Sequence, residues 1–373
     1  MDAPSVVSRI ESLFDAGDGQ GALELLRRTI ADAQRAPVGA RIALVDALAK
    51  SVGHRHPRVG ATFAMAGGAV VESGVSGAAL ARAILAPLGR ALVSAARFVD
   101  LAAKVPSSDK AGLPFFDRML DERALDRIAK KDPEALDAYI SLDTWYRPAV
   151  ATWSREPAVL RSVQADAAWR EPLAPLGAAC SGSHWLSLLL GAVFDAPFVF
   201  VFPELGEGWS ARLDGVTDTG QLMVLLAAAM PGPLARIHAG AQPTAEVLAV
   251  MSGDGPQQIG STGYSSSFQL WPWQARNPET GFPESNRFTW LAPGGRGSHS
   301  LPADFQPGAI DAVAGARVLL VTGPKAPADL KFTRAIAAAR MFVGLRAGLT
   351  SVGRLPAGEL RTVLDAIGAA TRG

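Results

Sequence analysis

The sequence predicts an α+β protein: an irregular all-helical array over residues 1–195 packed on a mixed α+β domain over 196–373, with a roughly six-stranded sheet. Three observations carry this. Apolar residues recur at helical spacing through the first half. The pattern changes at Pro197, where "FVFVF" (198–202) has the composition of a fully buried strand. Beyond it, strand-type and helix-type runs mix without the regular alternation of a parallel α/β fold.

The first helix is "PSVVSRIESLFDAG", with Val6, Ile10, Leu13 and Phe14 on one side and Gly17 and Asp18 stopping it. "QGALELLRRTIADA" follows, its stripe being Leu23, Leu26 and Ile30, and "GARIALVDALAKSVG" turns Ile42, Val45 and Leu48 inward. Two helices joined by the short "AGDGQ" turn resemble a tetratricopeptide-type hairpin. No second copy appears at the required period, so the expectation is an irregular array. "RVGATFAMAGGAVVESG" and "GAALARAILAPLGRALVSAARFVDLAAK" are rich in Ala and Gly, which lets helices approach closely. Pro87 should kink or end the second of these. Asp132 before Pro133 reads as an N-cap with proline at the first helical position. The last helix of this half is "GSHWLSLLLGAVFDAP", with Trp185, Leu188, Leu189 and Val193 facing one way.

In the second half "GWSARLDGV" alternates like a half-buried strand. Helices follow at "DTGQLMVLLAAAM", capped by Asp218 or Thr219, and at "PTAEVLAVMSG". Further strands are expected at 264–273, 286–292 and "ARVLLVTGP" (316–324). "PADLKFTRAIAAARM" reads as a helix, "VGLRAGLTSVGRL" as a last strand and "PAGELRTVLDAIGAA" as a closing helix.

The chain has 373 residues, is 49% hydrophobic and carries 36 basic against 35 acidic residues. Such a balance gives no overall field for nucleic acid or an anionic membrane, and neither partner is expected. Cys180 is the single cysteine, so no internal disulfide is possible. The first twenty residues lack a signal-type apolar run. The longest strictly apolar run, "LMVLLAAAM", falls short of the ~20 residues of a membrane span. The expected location is the cytoplasm.

"FQLWPWQARNPETGFPESNRFTWL" (268–291) concentrates three of the eight Trp in one hairpin-like stretch. Strand alternation puts Phe268 and Leu270 on one face and Trp271 and Trp273 on the other. On one reading Phe268, Leu270, Phe288 and Trp290 fill the core and the two tryptophans cover the second face. On the other, Trp271 and Trp273 stay exposed to stack on a ligand ring or a proline-rich partner. Pro272 cannot donate to a ladder, which places that end of the strand at an edge.

Local chemistry is sparse. "HRH" (54–56) has no neighbouring Cys or carboxylate in the sequence, and no metal or cofactor is expected. In "ACSGSHW" Cys180 and His184 stand one helical turn apart, spacing that suits a thiol–imidazole pair. The same segment also suits a buried cysteine ahead of a helix capped by Ser181 or Ser183. "APGGRGSHSLP" surrounds Arg296 with glycines and adds His299, which suits an anion cradle or an ordinary surface loop. "PELGE" places Glu204 and Glu207 in a solvated turn between strands.

"SHWLSLLLGAVFDAPFVFVFPE", "GVTDTGQLMVLLAAAM", "LWPW…FTWLAPGG" and "ARVLLVTGP" occur in one order. In that order the chain resembles a group of uncharacterised bacterial proteins of similar length, from about residue 77 onward. The group would carry an Asn–aromatic pair and a later His around "DTGQLM", where this chain has Thr219, Gly220 and Met223. The resemblance implies a shared fold and no mechanism.

The function these readings favour is a non-catalytic protein-binding or scaffold protein, engaging its partner through the helical surface or the Trp271–Trp273 edge. One alternative is a small-molecule enzyme with a pocket between the halves, using His184 or His299 as base and Arg296 as anion clamp. The other is a structural subunit of a larger assembly.

Overall fold

Helix-forming, capping and strand signals organise the chain into two compact units, Met1–Leu190 and Gly191–Gly373. The computed structural model describes residues 2–105, 113–115, 118–176, 181–237, 242–254, 265–266, 268–272, 305–310, 312–313, 315–323, 330–331, 342 and 344–370.

The first unit opens with α1 (Ala3–Asp15) and α2 (Gly19–Arg35), joined by a turn in which the Asp18 carboxylate accepts from the Gly21 amide at 2.9 Å. Leu26 of α2 is buried, but Leu23 is exposed. The buried stripe is Ala22, Leu26, Thr29 and Ala33, rotated from the Leu23–Leu26–Ile30 line of the sequence reading. Next come α3 (Val38–Ser51), α4 (Pro57–Val71) and α5 (Ala78–Ala102). After a small hairpin of β1 (Leu113–Phe115) and β2 (Arg118–Leu120) follow α6 (Glu122–Lys131) and α7 (Pro133–Trp153). α8 (Pro157–Ala165), α9 (Ala167–Leu176) and α10 (Ser181–Leu190) close the unit.

These helices stack as hairpins in two rows. α1, α3, α5 and α9 pack successively along one row, and α2, α4, α7 and α10 along the other. The first three helices of the former begin at residues 3, 38 and 78. Most of α4 is buried between its neighbours, as its small residues require: a Cβ on Gly68 would lie 2.9 Å from Pro148 Cα and Cβ of α7. Pro87 sits inside α5 without ending it. Phe98 stacks on Tyr139 at 4.2 Å between ring centroids, and Trp153 donates through its indole nitrogen to the Ala81 carbonyl at 3.0 Å, locking α7 to α5. Among the described residues α5 is also long and apolar enough to cross a membrane by length and composition.

The second unit is built on a mixed sheet. β3 (Ala196–Phe202) pairs antiparallel with β4 (Glu207–Asp214) and parallel with β8 (Ala316–Thr322). β10 (Gly348–Arg354) adds to the outer side of β4. On the far edge of β8 lie two short pieces, end to end: β7 (Ala312–Val313) opposite 316–317 and β6 (Gln269–Pro272) opposite 319–322. Among the described residues the sheet therefore has four full-length strands, not the roughly six expected. The expected ten-residue strand at 264–273 is divided, because β5 (Ser265–Ser266) pairs instead with β9 (Leu330–Lys331). That pairing also makes residues 330–331 strand, where a helix was expected. Tertiary pairing overrides local propensity here. The expected strand at 286–292 lies outside the described residues.

Both faces of the sheet are covered, which is why β3 reads as an unbroken apolar run. Phe198, Phe200, Phe202, Leu213, Leu319 and Val321 face α11 (Thr219–Ala229) and α13 (Ala245–Met251). Phe268 and Leu270 join this core, as the alternation predicts. α12 (Pro231–Ile237) follows α11 after a sharp bend. Val199, Val201, Val318 and Leu320 face the other way, against Leu360 and Val363 of α14 (Ala357–Ala370). Val193, expected on the helix with Trp185, instead bridges to Val216. A Cβ on Gly215, at φ +65°, would meet the Arg346 carbonyl oxygen, so only glycine fits.

Candidate functional site

The densest buried polar cluster lies at the start of α11. Asp218 is the N-cap: its carboxylate accepts from the Gln221 amide at 2.8 Å and from the Thr217 hydroxyl at 2.9 Å. The Gln221 side-chain oxygen accepts from the Thr217 amide at 2.9 Å, and its amide nitrogen donates to the Met251 carbonyl at 2.6 Å. Thr219 donates its hydroxyl to the Phe305 carbonyl at 2.9 Å. All four side chains are buried. These bonds, to one another and to backbone, clamp α11 to its neighbours.

A second cluster contradicts the reading of Glu207 as a solvated turn residue. Glu207 begins β4 with its side chain only 7% exposed. Arg236 of α12 grips it with two bonds of 3.0 and 2.6 Å, and Arg354, at the end of β10, approaches to 2.9 Å. Trp209 adds an indole N–H at 3.4 Å. The Arg236 hydrogen bond, offset in part by burial and aided by Trp209 and the charge of Arg354, holds this carboxyl below the usual glutamate range. A carboxylate so engaged is a poor proton acceptor. Glu204, in contrast, is exposed and accepts from the Gly323 amide at 3.2 Å.

A third cluster was invisible in the sequence. The 54–56 loop lies against the end of α1, where Asp15 meets Arg55 at 2.6 Å and the His54 Nε2 at 3.4 Å. The His54 Nδ1 accepts from the His56 amide at 3.1 Å, which leaves Nε2 turned toward the Asp15 carboxylate. Thirty-eight residues separate Asp15 from His54 and thirty-nine separate it from Arg55, which is why local spacing gave no sign of them. Among the described residues no group of three or more His, Cys, Asp or Glu side chains suits a metal ion.

Of the residues singled out from sequence, His184 stands in the first turn of α10, half-buried, its ring edge-on to Trp185 at 5.2 Å between centroids. Cys180, Trp273, Arg296 and His299 lie outside the described residues. Trp271 belongs to β6, in register with Leu320, and its strand ends at Pro272 on the edge of β8. The clusters at Asp218 and Glu207 thus tie elements of the second unit together, and the one at Asp15 ties the 54–56 loop to α1.

Among the described residues, the outer side of the helical rows carries exposed side chains. On α5, Arg82, Ala86, Arg90, Val93, Arg97 and Asp100 are all exposed at helical spacing, with Val93 50% exposed. On α7, Glu134, Asp137, Ile140 and Arg147 form the corresponding outward line. No family model, no curated protein and no solved structure matches this chain.

Proposed function

We propose that this chain is a non-catalytic protein-binding scaffold of the bacterial cytoplasm, with its helical unit as the docking platform. The observation that supports the reading is the stacking of helical hairpins in two rows, α1–α3–α5–α9 and α2–α4–α7–α10. Such stacks bury their inner faces against each other and leave the outer side of each row as one extended surface. The hydrogen-bonded polar clusters of the second unit fit a structural role for that unit.

The test is affinity capture with the full chain from a native lysate, followed by reconstitution with the purified candidate. The expected outcome is a protein that rebinds in equimolar amounts when both are pure. Recovery of a bound metabolite with no protein partner would sink the reading and favour the small-molecule enzyme.

A further inference from the structure

Resting on that reading, we infer that the outer face of α5 is the docking site and that it takes an acidic protein segment. The exposed stripe Arg82–Ala86–Arg90–Val93 runs along the first two-thirds of the helix. Arg82 and Arg90 are eight residues apart, about 12 Å along the axis. Neither forms any of the ion pairs found among the described residues, whereas Arg97 on the same face is held by Asp132 at 3.0 Å and Glu134 at 3.6 Å. The stripe therefore ends in a neutralised cluster at its C-terminal third and keeps two uncommitted guanidiniums before it.

Half-buried small residues, Ala79, Ala83 and Pro87, flank the stripe. They leave its floor low, so a partner backbone can come close while two carboxylates about two helical turns apart reach the arginines. Val93, between Arg90 and Arg97, offers the apolar contact. An anionic membrane is the rival occupant. Interfacial binding needs bulky apolar side chains that sink below the headgroups, and the described part of this face offers only Val93. Charge and shape together favour a peptide.

The experiment measures fluorescence anisotropy with the full chain and a labelled helical Glu/Ala peptide, beside its Gln/Ala counterpart. The charge-reversed variant R82E/R90E is compared with R27E/R28E, which makes the same change in net charge on the exposed side of α2. The expected result is at least tenfold tighter binding of the Glu peptide than the Gln peptide. R82E/R90E should lose about tenfold and R27E/R28E less than twofold. Equal binding of both peptides, equal loss in both variants, or binding to phosphatidylserine vesicles in place of the peptide overturns the inference. If a reconstituted protein partner still binds R82E/R90E at full strength, this docking site is wrong while the scaffold reading stands. If no partner is found at all, the scaffold reading itself has failed.

Discussion

Asp218 shows how one side chain holds an element in place. It caps α11, orders Thr217 and sits in a site closed to water. Asp218→Ala removes the cap and leaves buried donors unmet, a loss of about 2–4 kcal/mol by the usual costs of both. Asp218→Asn keeps a capping oxygen and should lose less than half as much; urea unfolding of the two variants measures the difference. Glu207 makes a prediction about acid. Its folded value is depressed, chiefly by Arg236, so its charge stabilises the native state above the unfolded glutamate range of about 4.3. That contribution is lost as pH falls through the depressed folded value. Both arginines are largely exposed and solvent screens them, so the effect is modest. In Glu207→Gln the fall in stability between neutral pH and pH 3 should be shallower than in the wild type, read from denaturation midpoints across that range.

At the scale of elements, local signals placed most helix ends and the long strands. Asp132 caps α7 as expected, its carboxylate accepting from the Ala135 amide at 2.9 Å. That bond and the Arg97 guanidinium hold it below the usual aspartate range. What sequence could not show is which faces meet. The glycines of α4 are a case: a Cβ at Gly68 would press on backbone and ring atoms of Pro148, which cannot swing aside. Gly68→Ala gains about 1 kcal/mol in helix propensity yet overpacks this contact by about 1–3 kcal/mol. The expected outcome is a net loss of about 1 kcal/mol, seen as a lower thermal midpoint. An unchanged or raised midpoint would show that α4 and α7 are not in such close contact.

For the whole molecule, the division at Leu190 has a direct consequence. The first unit has its own buried core, with Phe63, Phe98, Trp145 and Trp153 among its largest buried side chains. Residues 1–190 expressed alone should therefore be helical by circular dichroism and melt cooperatively. A broad, non-cooperative melt would mean that the helices need the rest of the chain. The same scale explains why the stacked rows escaped the sequence reading. Stacking asks only that each hairpin bury one side against the next, and many apolar combinations satisfy that without repeating a motif.

Sequence by itself determined the α+β class, the cap at Asp132, the cap of α11 to within Asp218 or Thr219, and the buried runs "FVFVF" and "ARVLLV". Each depends on neighbours within a few residues, where periodicity and side-chain-to-backbone bonds act. Tertiary structure alone decided that Glu207 is buried between two arginines, that Asp15 faces His54, and that strand pairing divides the 264–273 run. It also decided that Leu23 points outward and that α5 keeps Arg82 and Arg90 on an open face. A charge or a strand edge is neutral to its own stretch of chain, and its partner is chosen only when distant segments compete to cover the same surface.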